Sequence, residues 1–225
     1  MLLKDLRKIF PYTLPILTGY AFLGIAYGVL MNRSGLEVYW TIAMSSIVFA
    51  GALQFASISI LLGLFNPLSA FSLALLVNIR HIFYGVSMLP KYRNMGLKKI
   101  PTIFMMADEA FSIQTGTNAP DGIKAQSFYF LTALIAYVYW NGFSVLGHFM
   151  GSLIPSQIIG FDFVLTALFY LLFLNQWDNQ KNRQYLFLGL ASSLLSLFLF
   201  GKQNFLLPSM FFILMYLMIK RSFDE

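Results

Sequence analysis

A chain of 225 residues in which 58% are hydrophobic and only 11% charged lies outside the soluble class, where about 25% of residues are charged. Its mean hydropathy of +0.71 makes it an integral membrane protein, long enough for about six or seven segments of ~20 residues in one all-α bundle, with no separate soluble domain. The net charge of +6 sits in short loops and at the termini, as for contact with an anionic leaflet rather than with nucleic acid, and the lack of cysteine excludes disulfides and thiolate metal sites.

The N-terminal stretch MLLKDLRKIFPY is basic and leads into an apolar run, Tyr12–Met31, that passes Gly28 without a small-residue cleavage site. It reads as an uncleaved first span, with Pro15 suited to a first helical turn. Gly24 and Gly28 form a GxxxG step, which points to close helix packing. The next run, Val38–Phe65, is too long for one straight helix and holds Ser45, Ser46, Gly51 and Gln54 near its centre. Small residues around Gly51 permit a close approach or a break. Gln54 places an amide in apolar surroundings, either bonded to a neighbouring helix or lining a transport path.

The third run, Pro67–Leu89, is interrupted by Asn78-Ile79-Arg80-His81. A charge at mid-depth in a bilayer costs about 2.5–3.5 kcal/mol on insertion scales, so such residues face a bundle interior or a wet cavity. Helical spacing puts Asn78 and His81 on one face and turns Arg80 toward Tyr84. The planar fork of arginine matches a carboxylate, and histidine changes charge near neutral pH. The cluster either binds a carboxylate and relays protons, or is an internal arginine paired to Asp108 or Glu109 that holds helices together.

A basic stretch, Lys91–Lys99, precedes a short apolar piece, Pro101–Gly116, that carries Asp108 and Glu109. Asp108 could be a helix N-cap. Alternatively, the pair rides on a re-entrant element, where it would bind an ammonium or a proton. After the polar loop Thr117–Lys124, further spans fall near Phe128–Gly151, Ile158–Leu174, Tyr185–Gly201 and Phe205–Ile219, with polar breaks at Asn175–Gln184 and Lys202–Asn204. Gly147 and Gly151 form a second GxxxG around His148, read as packing plus an interhelical hydrogen bond. Gly24 and Gly28 precede Gly35-Leu36-Glu37, much as Gly147 and Gly151 precede Gly160-Phe161-Asp162, and each half then reaches an amide, Gln54 or Asn175-Gln176. This outlines two halves, 12–116 and 128–219, of a kind many transporters repeat.

The positive-inside rule places both Lys4, Arg7, Lys8 and Lys91, Arg93, Lys98, Lys99 in the cytoplasm. Three full crossings between these clusters would put them on opposite sides. One element must therefore fail to cross as a simple helix: Val38–Phe65 as a hairpin or broken helix, or the interrupted third run. Irregular backbone at that depth is tolerated only in protein or beside a wet cavity. Enzyme signatures such as GxSxG, HExxH and Walker A are missing. His81 with Asp108 and Glu109 could serve an intramembrane enzyme, and a non-transporting scaffold is a third reading. Two histidines fall short of an ordinary zinc site, and no cofactor is expected.

The blocks FAGALQFASISILL (Phe49–Leu62), VNIRHIFYGVSM (Val77–Met88) and MADEAFSI (Met106–Ile113), with the opening GYAFLGIAYGVLMNRSGL (Gly19–Leu36), resemble the AzlC family over essentially the whole chain. The stretch YVYWNGF (Tyr137–Phe143) resembles it more weakly. The resemblance implies a bacterial inner-membrane transporter of branched-chain amino acids, in some members also methionine, exporting with the proton motive force. It implies the large subunit of a two-part system whose partner is a small AzlD-type membrane protein. On that footing Arg80 binds the substrate carboxylate, and Asp108 or Glu109 takes the ammonium or a coupled proton. His81 and Asn78 orient that pair or relay protons, and Gln54 with a break at Gly51 lines the path.

Overall fold

The computed structural model describes residues 2–64, 66–153, 170, 177, 180–205, 208–209, 211–213 and 215–216, and among these no strand occurs. Among the described residues three helices are long and apolar enough to cross a membrane, within Asp5–Arg33, Ala125–Leu153 and Arg183–Gly201. The chain divides into two compact units, Met1–Val164 and Leu165–Glu225.

In the first unit α1 (Leu2–Arg33) stops where Gly35 turns to φ +74. The Leu36 N–H then reaches the Met31 carbonyl at 3.2 Å and the Gly35 N–H the Asn32 carbonyl at 2.9 Å. This double bond pattern over a left-handed glycine satisfies carbonyls that the helix end would leave bare. Beside it runs α8 (Ala125–Leu153). Ile9 packs with Phe128 and Leu131, Tyr20 meets Trp140 edge-on at 5.1 Å, and Gly151 lies against Asn32. Residue numbers rise together, so the two helices are parallel. The GxxxG steps set their separation. A Cβ added at Gly24 would come within 2.8 Å of the Phe143 Cβ, one at Gly28 would overlap the Ser144 carbonyl, and one at Gly147 the Ile25 backbone. Hydrogen in place of a methyl lets backbones touch, and that dispersion contact replaces the hydrophobic drive that lipid cannot supply.

The run that opens at Val38 is not one straight helix. It forms α2 (Val38–Ala43), a π turn (Met44–Val48) and α3 (Gly51–Leu62), broken at Phe49 and Ala50. Phe49 is left-handed at φ 42 and Ala50 extended at φ −139. The descending arm follows α8 backwards. Thr41 bonds His148 at 2.9 Å, Ser46 donates to the Asn141 Oδ1 at 2.8 Å, and Phe49 packs on Tyr137 with ring centres 4.9 Å apart. The chain then doubles back, because the Gln54 Nε2 donates to the Ser45 Oγ across the break at 3.3 Å. Phe55 next reaches Tyr27 at 5.3 Å.

Next come α4 (Pro67–Asn78) and α5 (Arg80–Met88), joined at Ile79, which keeps helical angles (φ −54, ψ −30). They bring the chain to the end where α8 begins. There the Lys91 Nζ lies over the Tyr129 ring at 5.9 Å and the Lys98 Nζ over Phe130 at 5.6 Å. A second hairpin enters from this end. α6 (Lys99–Phe104) climbs until Phe104 reaches Tyr137 at 6.2 Å. The chain breaks at Met105–Ala107, and α7 (Asp108–Gly116) descends. Its far end is pinned where the Gln114 Nε2 donates to the Tyr129 carbonyl at 3.0 Å and the Lys91 Nζ donates to the Gln114 carbonyl at 2.6 Å. The Tyr92 hydroxyl also donates to the Gln114 Oε1, and burial raises that phenol's pKa.

Two half-length hairpins therefore enter from opposite ends, and both tips reach Tyr137 in the middle of α8. The charge conflict disappears. Both basic clusters end up together, beside the start of α8. The Lys8 Nζ at that same end donates to the Asp121 carbonyl at 2.9 Å.

The second unit contains α9 (Gln180–Asn204), with non-helical angles at Gly201 (φ 74, ψ 175). Before it, the Arg183 Nε donates to the Trp177 carbonyl at 2.9 Å, with the guanidinium over that indole. The expected span Ile158–Leu174, the turn Gly160-Phe161-Asp162 and the amides Asn175-Gln176 lie outside the described residues, Tyr170 apart. The span Phe205–Ile219 lies only partly within them.

Candidate functional site

At the tip of the second hairpin, Ala107 is extended (φ −123, ψ 167) and α7 begins at Asp108. Asp108 is thus the first helical residue and not the N-cap, and no side-chain cap forms there. Both carboxylates occupy the first turn, where the partial positive charge of the exposed N–H groups favours them. Arg80 opens α5 across from them, and its Nη1 lies 2.6 Å from the Asp108 Oδ2. Glu109 takes a different partner: the Tyr20 hydroxyl donates to its Oε2 at 2.6 Å. Of the two partners the sequence offered Arg80, the fold selects Asp108.

The ion pair leaves bonding capacity unused. The Arg80 Nε, the Asp108 Oδ1 and the Asn78 Oδ1 are each buried without a hydrogen-bond partner among the described residues. The Tyr84 hydroxyl lies beside the Asp108 carboxylate, close enough to interact with it. Its ring is held by stacking on Phe111 at 4.3 Å. The side chains of Arg80 and Asp108 keep 38% and 37% of their exposure, so the pair is not sealed into the core. One spare donor beside two spare acceptors is the complement of a small zwitterion, whose carboxylate accepts and whose ammonium donates.

The other expected residues lie around this cluster. Gln54 is fully buried and satisfied, accepting from the Trp140 Nε1 at 2.9 Å. It connects to the site through Trp140, whose ring meets Tyr20. Gly51 seats the same indole, since a Cβ there would stand 3.0 Å from the Trp140 Cη2. His81 is turned away from the carboxylates. Its Nδ1 lies 3.1 Å from the Asn78 carbonyl, its ring meets Tyr84 edge-on at 5.5 Å, and it lines a cavity between α5 and α6. Gly24 and Gly28 are in the α1–α8 seam.

Tyr20 and Trp140 did not stand out in the sequence, and Tyr84 entered only as a neighbour of Arg80. Tyr84 carried a usable signal, one turn beyond Arg80. Tyr20 did too, because it shares the face of Gly24 and Gly28 at successive four-residue steps. Trp140 carried none beyond its place among aromatics.

Parallel glycine-packed helices, two opposed half-hairpins and a charged cluster at the tip of the second hairpin define an all-helical, polytopic membrane protein. A profile described as AzlC protein matches residues 15–154, a stretch that holds every residue of the cluster, and the chain belongs to the AzlC family. It is 44% identical over 216 residues to the branched-chain amino acid transport protein AzlC of Bacillus subtilis, covering 96% of this chain and 85% of that protein. It is 33% identical to an uncharacterized membrane protein of Haemophilus influenzae over 91% of this chain and 84% of that one. To the inner membrane protein YgaZ of Escherichia coli it is 25% identical, over 76% and 72%. No solved structure matches.

Proposed function

We propose that this chain moves branched-chain amino acids, valine, leucine and isoleucine with methionine as a fourth, outward across the bacterial inner membrane. The observation that carries the reading is the spare donor on Arg80 beside the spare acceptors on Asp108 and Asn78. The name of the Bacillus subtilis relative supports the substrate class. Arg80 takes the substrate carboxylate, and Asp108 with Asn78 takes the ammonium. Glu109 carries the coupled proton: it sits next to Asp108 in the chain and bonds Tyr20. Adding or removing one proton there changes the net charge of a low-dielectric cluster by one, and this charge change couples the proton to the neutral solute. Gln54 and the break before Gly51 fix the wall of the path through Trp140, and His81 stands at its side. The N-terminus is cytoplasmic, since both basic clusters share one end of the first unit. A small AzlD-type subunit is the partner in a two-component exporter.

The test is counterflow of labelled valine in proteoliposomes, with and without the small subunit. Wild-type chain exchanges valine, and Arg80→Ala inserts normally but does not. Normal exchange by Arg80→Ala would remove the carboxylate role. Product formation from amino acids in detergent, with no gradient, would replace transport with catalysis.

A further inference from the structure

A cavity of about 360 Å³ lies between α5 and α6, within the range of ~300–1,000 Å³ for small-molecule sites. Its lining is almost wholly apolar. One stripe of α5, including His81, Gly85 and Leu89 at four-residue steps, forms one wall, and Ile103 and Met106 form the other. The inner end is lined by residues that neighbour the ion pair in the chain. His81 follows Arg80, and Met106 stands two residues before Asp108. The outer end carries Lys99, at the end of the first unit where the basic clusters gather.

We infer that this groove is the pocket and approach for the aliphatic side chain of the amino acid whose polar head the Arg80 cluster holds. The inference rests on the transport reading above and gives it a specificity site. Two features select this occupant over a lipid chain. The residues at its inner end, His81 and Met106, are chain neighbours of Arg80 and Asp108, a donor-and-acceptor cluster of zwitterion chemistry. The single cation at its mouth complements a carboxylate travelling inward with an apolar tail behind it. Gly85 sets the width. A Cβ there would meet nothing within 4 Å, so its missing side chain leaves open space and not a packing contact. Larger residues at 85 consequently grow into the groove without displacing protein.

The experiment compares initial counterflow of labelled valine and leucine by the full-length chain in proteoliposomes. Gly85→Ala, Gly85→Leu and Gly85→Phe narrow the groove in steps, and Ile103→Ala widens it. One methylene in a shaped apolar pocket is worth about 10-fold or more in discrimination. The leucine-to-valine ratio therefore falls progressively through the Gly85 series, by about 10-fold at Gly85→Leu. Ile103→Ala shifts the ratio the other way and admits phenylalanine. Wild-type vesicles that exchange both amino acids, with a ratio unmoved by Gly85→Leu and Ile103→Ala, overturn the pocket alone and leave the groove a lipid-facing surface. Wild-type vesicles that exchange neither overturn the transport reading and the pocket with it.

Discussion

Two polar clusters occupy the first unit and are finished in opposite ways. In the α1–α8 seam His148 is 5% exposed, and both ring nitrogens have partners, Thr41 at 2.9 Å and Asn32 at 3.5 Å. Around Arg80 the ion pair forms, yet a donor and two acceptors stay buried and unused. The seam has two loose ends among the described residues, the Tyr27 and Ser144 hydroxyls, but a neutral hydroxyl left unpaired costs far less than spare capacity on charged groups. On the proposed reading, the well-partnered polar groups of the seam hold helices, whereas the spare capacity around Arg80 receives a ligand. The difference sorts two histidines and an arginine that composition alone treats alike.

The largest effect expected is at the seam. Gly28→Leu drives a side chain into the Ser144 carbonyl, where no flexible group can yield, so folded, monodisperse protein is lost on size-exclusion chromatography in detergent. A normal elution profile would show that the glycines do not set the helix distance. Next is Arg80→Lys, which keeps charge but loses the fork. A lysine recovers little of a site that uses the guanidinium fork, so counterflow falls strongly with insertion unchanged. Recovery to wild-type rates would make the site a simple charge.

Glu109→Gln retains an oxygen for the Tyr20 hydroxyl while abolishing the titrating proton. Exchange of unlabelled for labelled valine should stay within about threefold, since the net worth of one hydrogen bond is small. Uphill movement driven by a pH gradient should vanish. A variant that still concentrates valine against a gradient would move proton coupling elsewhere. The smallest effect is expected for His148→Ala. Interhelical hydrogen bonds in membranes average about 0.6 kcal/mol, so thermal stability drops slightly and counterflow per folded molecule does not change. A transport defect there would erase the contrast between the two clusters.

Much of this was legible in the residues. Excess hydropathy, the GxxxG steps and a charge in mid-run each act locally, through burial cost and steric size, and so survive reading in one dimension. The conflict between the two basic clusters even required a segment that turns back. The pairing of Arg80 with Asp108 rather than Glu109 was not legible, because adjacent carboxylates have the same composition and differ only in which side of α7 they occupy. Tyr20 shares a face with Gly24 and Gly28, but that pattern does not name its partner, Glu109. His81 looked like a member of the charged cluster because it neighbours Arg80. A helix turns about 100° per residue, which sends it to the groove instead.

The residues alone determined that the chain lives in lipid, that two helices meet at glycines, and that an arginine at such depth requires company. Only the tertiary structure decided that hairpins enter from both ends to meet at Tyr137, which carboxylate answers the arginine, and which groups retain unspent bonds. The first set depends on solvation and size at one position. The second depends on distant segments arriving at the same place, which only the packed chain arranges.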